Sequence, residues 1–245
     1  MKLIACIACR NNSRRLYGKP LQLLENFTVL EYIVNNLQKR NEISDIVLAI
    51  SEAKGNEVFV DFANTKGLKY VIGDDRDVLD RLIKACELAN GDTVYRVTSE
   101  SPFGYNEGLP EAVESHIKND ADYTTHEQLP DGVLFELISL RALKQSHEEG
   151  EYKHKSELVT SYINENPHKF NLNILQVEET LRRADYRLTI DFPEDLILCR
   201  KIVRYFNGDD KAIPYKDLIH YLDTHPEVRA ITENIIDENY IKPYH

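Results

Sequence analysis

Basic residues cluster near the start of a chain that is otherwise acidic. Arg10, Arg14, Arg15 and Lys19 lie within ten residues, whereas the formal net charge of the 245-residue chain is −11. Gly18, in the same stretch, permits a close approach of the backbone to a ligand. Cationic side chains and backbone N–H groups together bind phosphate oxygens. The stretch therefore predicts an anion site, and a solvated basic turn is the alternative.

Two further polar side chains, Asn11 and Ser13, belong to the same stretch and can contact a phosphate. The glycine spacing matches neither a P-loop nor a dinucleotide-binding fingerprint, so a different kind of phosphate site is expected. Ser13 has no histidine or aspartate partner close in sequence. Hydrolase chemistry based on a serine nucleophile is therefore not supported.

Alternating strands and helices must position this stretch. Apolar runs predict strands over 2–8, 45–50, 68–72 and 93–98. Helical periodicity predicts helices over 29–40, 56–66 (ending at Gly67) and 77–90. Such alternation favours a parallel sheet covered by helices on both faces. Because ligands bind at the carboxyl ends of parallel strands, the basic stretch and the turn after 93–98 are expected at one edge of the sheet.

The second half of the chain is less regular. Its expected strands cover 123–125, 133–138, 170–178 and 186–190. Its expected helices cover 107–118, 140–149, 152–165, 194–206, 215–224 and 227–233. We interpret 1–245 as one domain, with a protruding antiparallel segment over 125–180 and a C-terminal helical extension over 208–245.

Composition excludes several classes of protein. A net charge of −11 argues against nucleic-acid binding and against binding to anionic membranes. No apolar run approaches the ~20 residues of a membrane span. The four cysteines include Cys6 and Cys9, but no second ligand pair suggests zinc, so buried free thiols and a cytoplasmic location are expected.

A resemblance sharpens this interpretation. Residues 10–21 read R-x-x-S-x-R-L-x-G-K-x-L, which is similar to the opening motif of the CMP-sugar synthetases. These include the 3-deoxy-manno-octulosonate cytidylyltransferases and the cytidylyltransferases of spore-coat polysaccharide synthesis. The segments D-V-L-D-R at 77–81, R-V-T-S-E-S-P at 96–102, H-K-S-E-L at 154–158 and T-I-D-F-P-E-D at 189–195 resemble later segments of the same families.

The resemblance implies a Rossmann-like, mostly parallel sheet of the nucleotide-diphospho-sugar transferase (GT-A-like) type. It also implies a homodimer that transfers CMP from CTP to an acidic sugar, with Mg²⁺ as cofactor and pyrophosphate as product, for surface polysaccharide synthesis. The expected nucleotide-binding residues are Arg10, Asn11, Ser13, Arg15, Gly18, Lys19, Asp77 and Arg81. Catalysis is expected from Arg10, Arg15 and Lys19, metal binding from Glu100 and Asp191, and acceptor binding from His154 and Glu157.

Several alternatives remain open at this stage. Glu100 stands where the family has aspartate, and Asp191 could instead cap the following helix. Arg81 could pair with Asp77 on a helix surface. The acceptor could be a phosphonate or a polyol phosphate. A glycosyltransferase, or a nucleotide-binding protein without catalysis, could also be built on the same fold.

Overall fold

A computed structural model describes residues 1–13, 15–133, 135–207 and 212–235. In chain order its elements are β1 (Leu3–Cys9), β2 (Leu23–Leu24), β3 (Phe27–Thr28), α1 (Val29–Leu37), β4 (Ile43–Ser51), α2 (Glu57–Lys66), β5 (Lys69–Gly73), α3 (Val78–Leu88), β6 (Thr93–Thr98), α4 (Leu109–Lys118), β7 (Tyr123–Glu127), β8 (Glu136–Ser139), α5 (Leu140–Glu149), α6 (Ser161–Glu165), β9 (Leu172–Gln176), α7 (Pro193–Tyr205), α8 (Tyr215–Thr224) and α9 (Pro226–Arg229).

Seven of the described strands form one sheet in the order β5-β4-β1-β6-β8-β7-β9. Strands β5, β4, β1 and β6 pair in parallel. Strand β8 runs antiparallel to both of its neighbours, and β9 is parallel to β7. Six strands therefore point the same way, and their carboxyl ends share one edge of the sheet.

Hydrophobic clusters cover both faces of this sheet. Alternate residues of β1 divide between them: Leu3 and Ile7 belong to one cluster, and Ile4 and Cys6 to the other. A strand that is buried on both faces is typical of the centre of a parallel sheet. The four cysteines are buried and free, as expected, and burial raises the pKa of Cys6 well above its ordinary value.

Local signals set several helix ends. Thr28 and Glu31 form a capping box at the start of α1, where each side chain bonds the other residue's backbone N–H. Gly67 ends α2 in the left-handed conformation, with φ of 65°, as the sequence predicted. Asp77 caps α3 by accepting a hydrogen bond from the N–H of Asp80.

Two of the secondary-structure elements predicted from the sequence differ from the structure, so those two predictions are wrong. The helix expected over 152–165 is interrupted, because Ser156 accepts a hydrogen bond from the N–H of Leu158 and turns the chain before α6. The strand expected over 186–190 is an extended segment with one isolated bridge, Asp131 to Arg187. Its backbone bonds go to two separate loops, through Leu188 to Asp131 and through Ile190 to Glu100.

The expected protruding segment over 125–180 takes a different form. Its strands extend the main sheet, and the antiparallel pairing occurs inside that sheet at β8. Of the expected extension over 208–245, residues 208–211 and 236–245 lie outside the described residues. Within 212–235, α8 packs Leu218 and Leu222 into the same cluster as Leu3, and α9 is shorter than expected. Among the described residues, no helix is both long and apolar enough to cross a membrane.

The close approach at Gly132 generates a test of this fold. Gly132 has φ of +84°, and a Cβ there would lie 2.3 Å from the backbone nitrogen of Thr189. We expect Gly132→Ala to lower the free energy of unfolding by roughly 3 kcal/mol or more, because backbone strain and overpacking add. Chemical denaturation measures this change.

Gly67→Ala is the matched control, since Gly67 also has a positive φ but no atom within 4 Å of the added Cβ. It should lose roughly 1–2 kcal/mol, the cost of left-handed backbone alone. Equal losses in the two variants would contradict the packing described at Gly132.

Candidate functional site

The basic stretch follows β1, at the point where the strand order reverses. The neighbours of β1 are β4 on one side and β6 on the other, and ligands in such sheets bind outside the carboxyl ends at this switch point. Gly18 adopts φ of 67°, and its N–H donates to the carbonyl of Asn11 at 3.2 Å. The stretch thus closes on itself as a loop before a short 3₁₀ helix, Lys19–Leu21.

Asn11 fixes the start of this loop. Its side chain is buried and donates to the Tyr17 hydroxyl at 3.1 Å and to the carbonyl of Gly55 at 3.2 Å. Its backbone N–H donates to the Asn56 side chain at 2.7 Å. Asn11 therefore holds the loop on the segment after β4. Ser13 lies in the same loop and is partly exposed.

Lys19 lies between the two carboxylates that the sequence singled out. Its Nζ is 2.6 Å from Oδ1 of Asp191 and 3.9 Å from Oε1 of Glu100. The Lys19 side chain is 8% exposed, so both pairs lie away from bulk solvent. A backbone hydrogen bond from Ile190 to the carbonyl of Glu100, at 3.0 Å, holds the two acidic segments together.

The charges of this cluster reinforce one another. Burial by itself opposes protonation of Lys19, but the carboxylates of Glu100 and Asp191 outweigh it and raise the pKa of Lys19. Burial by itself would raise the pKa of Asp191, but Lys19 and two neighbouring arginines hold that pKa below its ordinary value. Lys19 is therefore cationic and Asp191 anionic at neutral pH.

Arg15 lies at the outer side of the cluster. Its guanidinium is 3.6 Å from Oδ1 of Asp191 and stacks over the ring of Phe192, 4.8 Å from the ring centroid. Its side chain is 39% exposed, so the guanidinium also faces solvent. Arg15 and Lys19 thus share Asp191 while they differ in access to an incoming anion.

Arg187 belongs to the site although it was not among the residues chosen from the sequence. Its guanidinium contacts Asp191 at 3.1 Å, Asp131 at 2.8 Å and Asp195 at 2.9 Å. Burial opposes its charge, but hydrogen bonds and the three carboxylates raise the pKa of Arg187. In the sequence, the feature that could have identified Arg187 is its position four residues before Asp191.

Asp195 decides between two interpretations of Asp191. Oδ2 of Asp195 accepts hydrogen bonds from the backbone N–H groups of Asp191 and Phe192, at 2.8 and 2.9 Å. Asp195 therefore supports the start of α7 from inside the helix. The Asp191 side chain is left to face Lys19, so the alternative of a capping role for Asp191 is wrong.

Arg10 and Glu157 form an exposed ion pair between the basic loop and the segment before α6. The Arg10 guanidinium donates to Oε2 of Glu157 at 2.6 Å, and both side chains are exposed. The carbonyl of Glu157 also accepts from Arg96 of β6, at 2.8 Å. The structure therefore connects the basic loop with the segment that the resemblance assigned to the acceptor.

Arg81 and Asp77 have contacts within the fold. Arg81 is 2% exposed and donates to the carbonyls of Ala49 and Cys9, at 3.0 and 3.5 Å. It thus stabilises the ends of β4 and β1, which differs from the expected direct phosphate contact and from a surface pair with Asp77. Asp77 caps α3 and hydrogen-bonds His147 at 2.8 Å.

His154 also differs from its expected role. It is 4% exposed, its Nδ1 accepts from the N–H of Glu151 at 2.8 Å, and its Nε2 lies 2.9 Å from Glu165. Because Nδ1 accepts, Nε2 carries the proton that Glu165 receives. Both ring nitrogens are engaged in holding the turn before α6, and neither is left for an acceptor.

The cluster can hold a divalent cation if a ligand contributes oxygens. Glu100 and Asp191 supply two carboxylates around the Lys19 ammonium. Among the described residues, no group of three or more histidine, cysteine or acidic side chains is arranged for a metal. Mg²⁺ commonly binds one or two carboxylates and completes its shell with phosphate oxygens and water. The donor set therefore fits Mg²⁺ together with a phosphate ligand.

Comparison with known sequences agrees with the family that the motifs resemble. The sequence model of the cytidylyltransferase family matches residues 4–222. The protein MJ1063 of Methanocaldococcus jannaschii is 31% identical over 240 residues, which cover 98% of each chain. The spore coat polysaccharide biosynthesis protein SpsF of Bacillus subtilis is 26% identical, with 96% of this chain and 99% of SpsF covered.

Solved structures share the fold. A cytidylyltransferase from Leptospira borgpetersenii has a TM-score of 0.86 and 23% identity, covering 97% of this chain and 99% of that one. A CMP-2-keto-3-deoxy-manno-octonic acid synthetase in complex with CTP has a TM-score of 0.64 and 12% identity, covering 84% of this chain and 100% of that one. The mostly parallel α/β fold expected from the sequence is confirmed.

The low pKa of Asp191 predicts a pH dependence of stability. A carboxyl group with a lower pKa in the folded state adds stability above its unfolded pKa, about 3.9, and loses it as the pH falls through the folded value. We expect Asp191→Asn to cost about 2 kcal/mol at pH 7, the range for a charge-assisted hydrogen bond. The deficit should shrink below about pH 4, because the wild type then loses the same interaction.

Urea denaturation from pH 7 to pH 2.5, without nucleotide or metal, measures this deficit. Asp61→Asn, an exposed substitution on α2, is the control, and it should change the free energy of unfolding at pH 7 by less than ~0.5 kcal/mol. A deficit of Asp191→Asn that stays constant down to pH 2.5 would contradict the electrostatic account.

Proposed function

The chain belongs to the cytidylyltransferase family, whose members are CTP-dependent nucleotidyltransferases, and we propose that it transfers CMP from CTP to an acidic sugar with Mg²⁺ as cofactor. Pyrophosphate is the second product. The observation that carries this proposal is the position of Lys19 between Asp191 and Glu100 at the carboxyl edge of the sheet. A fixed cation and two carboxylates beside the basic loop support phosphate and metal binding at this edge.

In this proposal, the basic loop binds the triphosphate. Arg10 and Arg15 are exposed and can reach its outer oxygens, whereas Lys19 is buried and stays protonated. Gly18 permits a close approach of the loop backbone to the phosphates, and Ser13 offers a hydroxyl. Asn11 contributes by holding the loop in place. When phosphate oxygens arrive, Lys19 can exchange its carboxylate partners for them without losing its charge.

Group transfer then requires no covalent bond to the protein. A hydroxyl oxygen of the acceptor attacks the α-phosphorus of CTP and its proton passes to solvent, while the bond to the β-phosphate oxygen breaks and pyrophosphate leaves with its charge. Lys19 and Arg15 stabilise that charge, and Arg10 orients the α-phosphate. Mg²⁺ held by Glu100 and Asp191 would neutralise phosphate charge at the same edge. Arg187 acts through Asp191, whose carboxylate it holds in place.

Two relatives support the choice of substrates. One neighbouring structure is a CMP-2-keto-3-deoxy-manno-octonic acid synthetase with CTP bound, and SpsF is a spore coat polysaccharide biosynthesis protein. An octulosonate-like or nonulosonate-like sugar is the proposed acceptor, with a phosphonate or polyol phosphate as the second candidate. Surface polysaccharide synthesis and a homodimer are parts of the same proposal and rest on resemblance. A cytoplasmic location is also part of it and rests on the free cysteines.

Rival functions on the same fold make different demands on the site. A glycosyltransferase needs a pair of acidic residues after β6, where this chain has Glu100 between two serines. A protein that binds nucleotide without catalysis would need no metal at Glu100. The transfer reaction uses both carboxylates that the structure places around Lys19.

The loop assignment predicts a loss of CTP binding in two variants. Lys19→Ala and Arg15→Ala should each weaken CTP binding by roughly 10- to 100-fold, because a charge-assisted hydrogen bond contributes roughly 1.5–3 kcal/mol. Lys19→Ala should be the more severe, since it also leaves two carboxylates to repel the phosphates. Isothermal titration calorimetry with CTP and Mg²⁺ measures both.

Lys69→Ala is the matched control. Lys69 pairs with Asp45 at the other end of the strands, and its side chain is 49% exposed. This variant should bind CTP like the wild type. Wild-type affinity in both loop variants would remove the loop from the nucleotide site.

The assignment of Glu100 as a metal ligand predicts how CTP binding responds to Mg²⁺. In the wild type, Mg²⁺ should strengthen CTP binding and support pyrophosphate release with an accepted sugar. Glu100→Gln should retain CTP binding but lose most of the strengthening by Mg²⁺, because the amide is a far weaker ligand for a hard cation. Glu100→Asp should retain it.

Calorimetry with and without Mg²⁺, together with a coupled pyrophosphate assay, tests this prediction. Glu114→Gln, an exposed substitution on α4, is the control. An unchanged Mg²⁺ response in Glu100→Gln would exclude Glu100 as a ligand. CTP binding by the wild type without pyrophosphate release from any acidic sugar would favour the protein without catalysis.

A further inference from the structure

Glu100 and Asp191 each turn one carboxylate oxygen toward Lys19. Oδ1 of Asp191 lies 2.6 Å from the Lys19 ammonium, and Oδ2 is held by the Arg187 guanidinium at 3.1 Å. Oε1 of Glu100 lies 3.9 Å from the same ammonium. At that distance the charges attract but no hydrogen bond forms, so Lys19 alone does not fix the orientation of the Glu100 carboxylate.

Ser99 supplies the hydrogen bond that Lys19 does not. Its hydroxyl donates to Oε2 of Glu100 at 3.2 Å, and the residue is 1% exposed, so the bond is shielded from water. Among the described residues, Ser99 is the one hydrogen-bond donor to this carboxylate. The Glu100 carboxylate therefore has the same arrangement as that of Asp191, with one oxygen held by a neighbour and the other turned toward Lys19.

The turn after β6 is held without the Ser99 hydroxyl. The Thr98 hydroxyl donates to that of Ser101 at 2.6 Å, and the carbonyl of Glu100 accepts from the N–H of Ile190 at 3.0 Å. These bonds restrain the chain on both sides of Ser99. Within the described ranges, the Ser99 hydroxyl makes no hydrogen bond besides the one to Glu100. Its effect is therefore confined to the orientation of one side chain.

The length of Glu100 makes this restraint important. Glutamate has one more side-chain torsion than the aspartate that the resembled family has at this position, and ordering a long side chain costs rotamer entropy. The Glu100 side chain is also 27% exposed, so packing alone does not restrain it. Because hydrogen bonds from neighbouring groups orient the ligands of a metal, a donor beside Glu100 would prepare its carboxylate for a cation.

We propose that Ser99 is a positioning residue, which holds the Glu100 carboxylate in the orientation needed to bind the metal together with Asp191. The hydroxyl restrains Oε2 and leaves Oε1 on the side of Lys19 and Asp191. Ser99 acts through Glu100 and touches neither the metal nor CTP. This inference rests on the proposed function and adds a residue on which the response of CTP binding to Mg²⁺ depends.

Ser99→Ala tests the proposal, because it removes the hydroxyl and little volume. Calorimetry measures the affinity of the full chain for CTP with and without Mg²⁺, and the ratio of the two affinities gives the strengthening by the metal. We expect the affinity without Mg²⁺ to stay within about twofold of the wild type. The strengthening by Mg²⁺ should fall roughly 3- to 10-fold, the range that the loss of one hydrogen bond gives.

Ser101→Ala is the matched control. It removes a hydroxyl from the same turn, but Ser101 bonds Thr98 and not Glu100. This variant should keep the wild-type response to Mg²⁺. Thermal unfolding of both variants reports any loss of fold stability separately from the metal response.

A double-mutant cycle with Glu100→Asp distinguishes positioning from a structural role of Ser99. The shorter side chain has one torsion fewer, so its orientation depends less on the hydroxyl. When Ser99→Ala is combined with Glu100→Asp, the strengthening by Mg²⁺ should change by less than about twofold relative to Glu100→Asp alone. A structural role of Ser99 predicts the same loss in both backgrounds.

Three results would overturn the proposal: Ser99→Ala responds to Mg²⁺ like the wild type, Ser101→Ala loses as much of the response, or Ser99→Ala loses the same factor in both backgrounds. Failure of the proposed function would appear in the wild type itself, as absent CTP binding or as binding that Mg²⁺ does not strengthen, and it would overturn both. A wild type that responds to Mg²⁺ together with a Ser99→Ala variant that responds equally would overturn the role of Ser99 alone.

Discussion

A buried lysine between two carboxylates joins parts of the chain that are far apart in sequence. Lys19 follows β1, Glu100 follows β6 and Asp191 precedes α7, and the contact between Lys19 and Asp191 spans 172 positions. Lys19 and Asp191 are largely buried, and a charge removed from water needs a partner. The positions of the loop, the turn and the start of α7 are therefore mutually dependent. Because the lysine and the carboxylates are partners of each other, both can exchange those partners for a charged ligand when it binds.

Arg187 and Asp195 show how the acidic side of this contact is kept in place. Asp195 holds the backbone at the start of α7, and Arg187 bridges Asp131, Asp191 and Asp195. Without Arg187, three carboxylates would repel one another beside a single lysine. With Arg187 present, the two oxygens of the Asp191 carboxylate have different partners: Oδ1 faces Lys19 and Oδ2 faces Arg187. An acidic protein thereby maintains a site of balanced charge, in which exposed Arg10 and Arg15 supply the attraction for an incoming anion.

The sequence predicted those features that local patterns determine. Alternating apolar runs placed β1, β4, β5 and β6, and they placed the basic loop at the correct edge of the sheet. Long-range contacts decided the rest. The segment over 186–190 has the composition of a strand, but its backbone bonds reach loops at Asp131 and Glu100. Arg187 looked like an ordinary residue of that segment because its three partners are brought together by the fold. For Arg81 the sequence indicates a phosphate contact or a surface pair with Asp77, whereas its guanidinium bonds the carbonyls at the ends of β1 and β4.

The two histidines His154 and His126 show what the fold adds to a list of polar residues. Both lie in the half of the chain expected to bind the acceptor, and both are buried. His154 has partners for both nitrogens and therefore supports a turn, whereas the nitrogens of His126 have none in the described structure. The His126 ring packs edge-on against Tyr105 and Phe135 instead. A buried histidine in the acceptor half of the chain is therefore no evidence of an acceptor contact by itself, because packing within the fold accounts for its position.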